Sequence, residues 1–248
     1  MSLFHLFSPS NSLILVYDHL TQETAEQFEL EVLEVRKYYK PVRLSELVAK
    51  QNKKRADGLF TVAFKEARKS VFIHGVPRLQ GYGIPFTLFV RADCIGMNRL
   101  PPEEELDLYS TSYESSFKKP DLEKWKTLIW KKPDEVNAFL MDCRKQFGPL
   151  LLDKFDPTRF MTTWGKIKEI SPKEMEVGVF ISADPTQTSF FEDLRFIETQ
   201  MGNRPKSAYC SHPVKEIDKT GFDCLVTSRR GMVEKKTGVF DLPQWEVI

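Results

Sequence analysis

The chain has 248 residues, and its 36 Lys and Arg against 35 Asp and Glu leave a net charge of +1. That balance gives no electrostatic reason to expect nucleic acid or an anionic membrane as a partner. With 41% hydrophobic and 12% aromatic residues, the chain can bury a large core, which excludes wholesale disorder. Because α/β barrels of this length commonly fold as one unit, we expect a single domain over residues 1–248.

The first residues and the cysteines favour a cytoplasmic location. The opening "MSLFHLFSPSNSLILVYDH" has no basic segment, and its apolar run is too short for a signal peptide. No run of about 18 apolar residues occurs, so we expect no membrane span. The cysteines form no CxxC pair and are expected as reduced thiols at Cys94, Cys143, Cys210 and Cys224.

Strand and helix patterns alternate at the start of the chain. Apolar runs predict strands at Leu13–Tyr17, Leu59–Phe64 and Phe86–Val90. Residues 24–39 carry apolar side chains at helical spacing, and Ser45 is a suitable cap for the next helix. The order β-α-β-α-β predicts a parallel sheet with crossover helices.

Residues 96–156 lack the apolar runs that predict strands, and such runs occur again after residue 156. "PPEEELDLY", "DLEKWKTLIW" and "PDEVNAFLMDCRKQFG" predict helices, and about 60 residues form only a thin core. We therefore expect a helical insertion in this stretch, with Trp125 and Trp130 in its local core. "MEVGVFISA", "KSAYC" and "DCLVTS" predict further strands, and "TSFFEDLRFIETQMG" predicts an amphipathic helix capped by Thr188 or Ser189.

Several stretches, in order, resemble the polysaccharide deacetylase (NodB homology) family. "YGIPFTLFV" is similar to the family's YGIPATFFV strand, "MEVGVFISADP" to its EIGSHTxSHP strand end, and "GNRPKSAYCSH" to its GRPVxxFAYPYG segment. "RFMTTWGKIKEI" resembles the entry to a helix that bears a structural tryptophan, here Trp164. The resemblance implies a distorted (β/α)₇ barrel, a bacterial source and, for the family, metal-dependent removal of acetyl groups from carbohydrate nitrogen.

The resemblance breaks at the positions on which the family's chemistry depends. The family's TFDDG reads AFKEA here, so Lys65 stands at the catalytic base and Glu66 at the metal-binding aspartate. The two metal-binding histidines fall on Phe180 and Asp184. The YHxV and PYG segments also differ, and they imply these substrate-binding candidates: Asp18, His19, Tyr209, Cys210, Ser211 and His212.

These replacements predict the loss of the metal. A catalytic zinc site usually has three protein ligands and one open position. Glu66 and Asp184 could supply two oxygens, but Phe180 supplies none. Nearby carboxylates would keep Lys65 charged and unfit as a base. We therefore expect no zinc or other divalent cofactor, and no catalytic residue in working form.

Two features at the expected strand ends each allow two interpretations. Lys65 follows a buried strand and could neutralise Glu66 and Asp184 in place of the metal, or it could be a solvated loop lysine. Cys210 and His212 could form a nucleophile and its base, or a structural thiol beside a loop histidine.

Three functions remain open on this basis. The first is a catalytically impaired relative that binds a glycan or sugar-containing ligand, or scaffolds a polysaccharide-synthesis protein. The second is an active hydrolase of carbohydrate N-acyl bonds with a rebuilt site that uses Glu66, Asp184 and His212. The third is a structural protein whose insertion over residues 96–156 forms an interface. Loss of the base and ligands together favours the first and third.

Overall fold

The computed structural model of the protein describes residues 10–97, 100–112, 119–147, 156–181, 188–211 and 221–246. Within these ranges all pairings between named strands are parallel. The strands are β1 (Leu13–Tyr17), β2 (Lys40–Pro41), β3 (Leu59–Phe64), β4 (Phe86–Val90), β5 (Met175–Phe180), β6 (Ser207–Cys210), β7 (Cys224–Arg230) and β8 (Leu242–Glu246).

The strands close into a barrel. Their order is β1-β8-β7-β6-β5-β4-β3, and β1 also pairs with β3, so seven of the described strands form a closed cylinder. The two-residue β2 adds to the amino-terminal end of β3. The expectation of a (β/α)₇ barrel is confirmed, and β1, β3 and β4 have the predicted bounds. The strand β8 was not predicted.

Helices surround this barrel. They are α1 (Gln22–Arg36), α2 (Leu44–Gln51), α3 (Val76–Gly81), α4 (Pro102–Ser112), α5 (Lys119–Lys131), α6 (Pro133–Phe147), α7 (Trp164–Lys168) and α8 (Thr188–Met201). The prediction that Ser45 caps α2 is wrong, because the cap position is Arg43. Ser45 lies in the first turn, and its backbone N–H donates to Glu176 of β5. Glu176, at the amino-terminal end of the barrel, therefore accepts a hydrogen bond from an N–H group in the first turn of α2.

Alternate residues of each strand face two different layers. Phe60, Val62 and Phe64 of β3 pack outward in the layer that contains Phe28 of α1. Leu59 and Ala63, which alternate with these residues along β3, belong to the inner cluster. This period of two explains why the strands appear as unbroken apolar runs: both faces are buried.

Helices α4, α5 and α6 lie between β4 and β5 and share a small core. Its buried members are Leu106, Tyr109, Val136, Leu140 and Cys143. Trp125 stacks on Phe139 with ring centroids 4.2 Å apart, in agreement with a local-core role, whereas the Trp130 side chain lies outside the described atoms. Single-domain organisation stays a prediction. In the described part of the chain, no helix is both long enough and apolar enough to cross a membrane.

Candidate functional site

The carboxyl ends of the strands gather the residues that the sequence singled out. All strands run parallel, so the residues that follow β1, β3 and β4 reach the same rim of the barrel. We call this rim the barrel mouth and define it by Asp18, Lys65, Glu66, Arg91, Phe180 and Tyr209, together with Arg68 in the loop after β3.

Glu66 is the buried centre of the mouth, with only 3% of its surface exposed. Its Oε2 lies 2.5 Å from Nη2 of Arg68, and its Oε1 lies 3.4 Å from Nη1 of Arg91. Both arginine side chains are as buried as the carboxylate that they contact. A buried carboxylate is strongly unfavourable unless it is paired and hydrogen-bonded. The two guanidiniums supply that compensation.

Arg68 also contacts carboxylates from two other segments. Its Nε donates to Asp18 Oδ1 at 3.0 Å, and its Nη2 pairs with Glu104 in the first turn of α4. Burial acts to lower the pKa of Arg68, but Glu66 and Asp18 outweigh it and raise the pKa above the usual value. The guanidinium therefore stays charged and links the ends of β1 and β3 to the insertion.

Arg91 forms the second link to the insertion. Its Nη1 lies 2.6 Å from Glu103 Oε1, and its Nη2 lies 3.2 Å from Asp93 Oδ2. The guanidinium carbon is 5.4 Å from the centre of the Phe180 ring, within range of a cation–π interaction. Phe180 thus packs against a cation of the network.

Lys65 has a different position from Arg68 and Arg91. Its side chain is half-buried, and Nζ lies 6.0 Å from the centre of the Tyr209 ring. Among the described residues, Arg68 and Arg91 are the cations paired with Glu66. The expectation that Lys65 neutralises Glu66 is therefore corrected. Its contact with Asp184 stays a prediction, because residues 182–187 lie outside the described ranges.

Burial acts on the pKa of two acidic groups that interact with Arg91: Glu66 of the mouth and Asp193 of α8. Complete burial acts to raise the pKa of Glu66, and Arg68 and Arg91 oppose that rise and favour the paired carboxylate. Partial burial and the nearby Asp93 raise the pKa of Asp193, on α8, to about 7, again against Arg91. Burial therefore makes negative charge costly at this rim, and the arginines reduce that cost.

The other substrate-binding candidates are distributed over different environments. His19 is partly buried with Nε2 3.9 Å from Asp156, and burial followed by Arg68 and Arg159 lowers its pKa. Cys210 is buried in the outer layer, so its thiol does not face the mouth. Ser211 is exposed, and its carbonyl accepts a hydrogen bond from Ser228. His212 lies outside the described residues, so its pairing with Cys210 stays a prediction.

The residues at the mouth do not fit a catalytic zinc site. Both oxygens of Glu66 face guanidiniums, and Phe180 offers an aromatic ring. Within the described ranges, no three His, Cys, Asp or Glu residues are grouped so as to hold a metal ion. A divalent cation beside Glu66 would also meet two buried positive charges, which would oppose its binding.

Sequence reasoning missed the two arginines and their partners on α4. Arg91 directly follows the correctly predicted β4, so the strand-end argument that singled out Lys65 applies to it equally. No sequence pattern singled out Arg68 or Glu104, because their pairing depends on the position of α4 relative to the barrel.

Comparisons with known proteins agree with this architecture. Neither a protein-family model nor a curated protein sequence matches the chain. Among solved structures, IcaB from Ammonifex degensii has a TM-score of 0.61 at 14% identity, over 96% of this chain and 92% of its own. The deacetylase PplD of Streptococcus pyogenes has a TM-score of 0.60 at 10% identity, over 97% of this chain and 94% of its own.

A third solved structure extends the comparison. The deacetylase domain of BpsB from Bordetella bronchiseptica has a TM-score of 0.57 at 10% identity, over 97% of both chains. Identities this low carry an argument about fold and none about chemistry. The chain has the (β/α)₇ barrel fold of these deacetylases.

Proposed function

We propose that the protein is a catalytically impaired, deacetylase-like protein that binds a glycan at its barrel mouth, in the cytoplasm of a bacterium. The observation that carries the proposal is the pairing of Glu66 with Arg68 and Arg91 at the rim where the resembling family binds its metal. A carboxylate held by two guanidiniums is neither a free metal ligand nor an available base.

The glycan part of the proposal rests on fold and resemblance. The similar structures include deacetylases, and the resembling family acts on acetylated carbohydrates. Phe180 places a partly exposed aromatic ring near the mouth, 5.4 Å from the ring of the buried Tyr209, and such a ring can pack against a sugar. All four cysteines are buried thiols that form no disulfide bond, which supports the cytoplasmic location.

The test measures activity and binding on the same preparation. Acetate release from N-acetylglucosamine oligomers is assayed with and without zinc or cobalt, and a panel of neutral and acidic oligosaccharides is screened for binding. We expect no acetate above the buffer rate, and saturable binding of at least one oligosaccharide. Acetate release that is lost in a Glu66→Gln variant whose circular dichroism shows it to be folded would indicate that the site is catalytic and would contradict the proposal.

A further inference from the structure

The first turn of α4 carries three consecutive glutamates, Glu103, Glu104 and Glu105, and each one pairs with an arginine. Glu103 pairs with Arg91 of the barrel mouth at 2.6 Å. Glu104 pairs with Arg68, and its second oxygen lies 2.9 Å from Nη2 of Arg159. Two of the three glutamates therefore contact arginines at the barrel.

The third glutamate ties α4 to the rest of the insertion. Glu105 accepts hydrogen bonds from Nε and Nη2 of Arg144 on α6, at 2.6 and 2.5 Å. Cys94 lies close to the mouth, because its backbone N–H donates to the carbonyl of Arg91 at 3.3 Å. Helices α4, α5 and α6 also share their own small core, so the insertion has internal contacts that do not depend on the barrel.

The contacts of Glu103 and Glu104 with the mouth are ion pairs. The side chains of Glu103 and Glu104 are 42% and 20% exposed, whereas Arg91 and Arg68 are only 2% and 3% exposed. If the turn moved away, these guanidiniums and Arg159 would lose carboxylate partners while remaining in a poorly solvated rim. An anionic group from a ligand is then the favoured replacement, since arginine pairs well with carboxylates.

We infer that the first turn of α4 is an internal lid that closes the barrel mouth. In the closed state Glu103 and Glu104 pair with the guanidiniums of the mouth, and when the lid opens the carboxylates of an oligosaccharide pair with them instead. The inference rests on the proposed function, because it names the ligand class of that same mouth. It also gives the insertion a role, because its glutamates compete with the carboxylates of the ligand for the same guanidiniums.

Thiol labelling measures the opening of this lid. Cys94 is fully buried in the loop after β4, next to Arg91, and Cys224 is buried at the opposite, amino-terminal end of β7. Labelling of a buried thiol by N-ethylmaleimide follows the population of the opened state when reclosing is fast. The full-length protein is labelled under native conditions, and each cysteine is quantified by peptide mass spectrometry.

The test variant is Glu103→Gln/Glu104→Gln, which weakens the ionic pairs while keeping the side-chain shape. The matched control is Asp107→Asn/Asp142→Asn, which removes two charges from the exposed side of the insertion. We expect labelling of Cys94 to accelerate about tenfold or more in the test variant, and Cys224 to keep its wild-type rate. Arg159→Gln should accelerate Cys94 in the same direction.

Calorimetry then measures the ligand class. The probes are an oligogalacturonate, with a carboxylate on every sugar, and a neutral N-acetylglucosamine oligomer of equal length. We expect the oligogalacturonate to bind about tenfold more tightly to the test variant than to wild type or control, with no such gain for the neutral oligomer. Unchanged Cys94 labelling in both the test variant and Arg159→Gln would overturn the lid. An equal gain for both oligomers would overturn the anionic ligand while leaving the proposed function standing.

Discussion

The Arg68 guanidinium lies 2.5 Å from the Glu66 carboxylate, and both side chains are almost completely buried at the carboxyl end of β3. Removing two charges from water costs free energy, and the close contact returns part of it. Such a pair is therefore weak evidence for added stability. It is stronger evidence that the position of each partner matters, because an unpaired buried charge is costly.

Neutralising Glu66 should therefore destabilise the fold strongly. Glu66→Gln leaves Arg68 and Arg91 facing each other without the buried carboxylate, and we expect a loss of about 3–5 kcal/mol in the free energy of unfolding. Urea unfolding measures the change. The control is Glu135→Gln on α6, whose carboxylate pairs with Lys132 at the surface, and we expect it to cost less than about 1 kcal/mol. Equal effects of the two variants would contradict the network.

The pH dependence of stability should report Asp193. Its pKa is raised to about 7, chiefly by burial and next by Asp93, so the folded state disfavours its ionisation. A raised carboxyl pKa gives stability that is present below the unfolded value of about 4 and lost as the pH rises through about 7.

Asp193→Asn should remove this loss of stability at higher pH, because asparagine does not ionise. Because the group is partly exposed, we expect the variant to gain only about 1–2 kcal/mol relative to wild type between pH 4 and pH 8. Urea unfolding at several pH values measures the difference, and Glu198→Gln on the same helix is the control. A difference between Asp193→Asn and wild type that does not change with pH would contradict the assignment.

The barrel interior should tolerate no side chain at position 178. A Cβ placed on Gly178 would lie 2.6 Å from the Phe89 ring and 2.6 Å from the Ser207 hydroxyl. Gly178→Ala should cost about 1–3 kcal/mol through overpacking, and adding Ser207→Gly should recover part of that loss. Gly81→Ala, where nothing lies within 4 Å, is the control and should be near neutral in thermal unfolding. A neutral Gly178→Ala would show that the interior packs differently.

Zinc should leave the melting temperature unchanged. A ligand that binds only the folded state stabilises it, so micromolar zinc would raise the melting temperature if a site existed. We expect no shift in wild type after removal of adventitious metal with a chelator. A rise of several degrees that a chelator reverses would mean that residues outside the described ranges complete a metal site.

The sequence predicted the strands that pack on both faces and missed the one whose place depends on closure. β1, β3 and β4 are continuous apolar runs, which identify buried parallel strands. β8 reads LPQWE, with a proline and polar residues, and only its position between β7 and β1 makes it a strand. Local pattern carries no signal for such long-range pairing.

The candidate site was predicted in location and only partly in composition. The strand-end rule singled out Lys65 and Glu66, the resemblance singled out Phe180, and all three lie at the carboxyl ends of β3 and β5. The pairing of Glu66 with Arg68 and Arg91 depends on the turn after β3 and on the register of β3 with β4. Neither is encoded in a short motif, so the adjacent Lys65 was chosen in place of the arginines.

A pair of double-mutant cycles tests the central claim, that arginines hold Glu66 where the resembling family binds metal. One cycle combines Glu66→Gln with Arg68→Met, and the other combines Glu66→Gln with Lys65→Met, each measured by urea unfolding. We expect a coupling free energy of about 2–3 kcal/mol for Glu66 with Arg68, and a clearly smaller one for Glu66 with Lys65. Additive effects for Arg68, within about 0.5 kcal/mol, or a larger coupling for Lys65, would contradict the account.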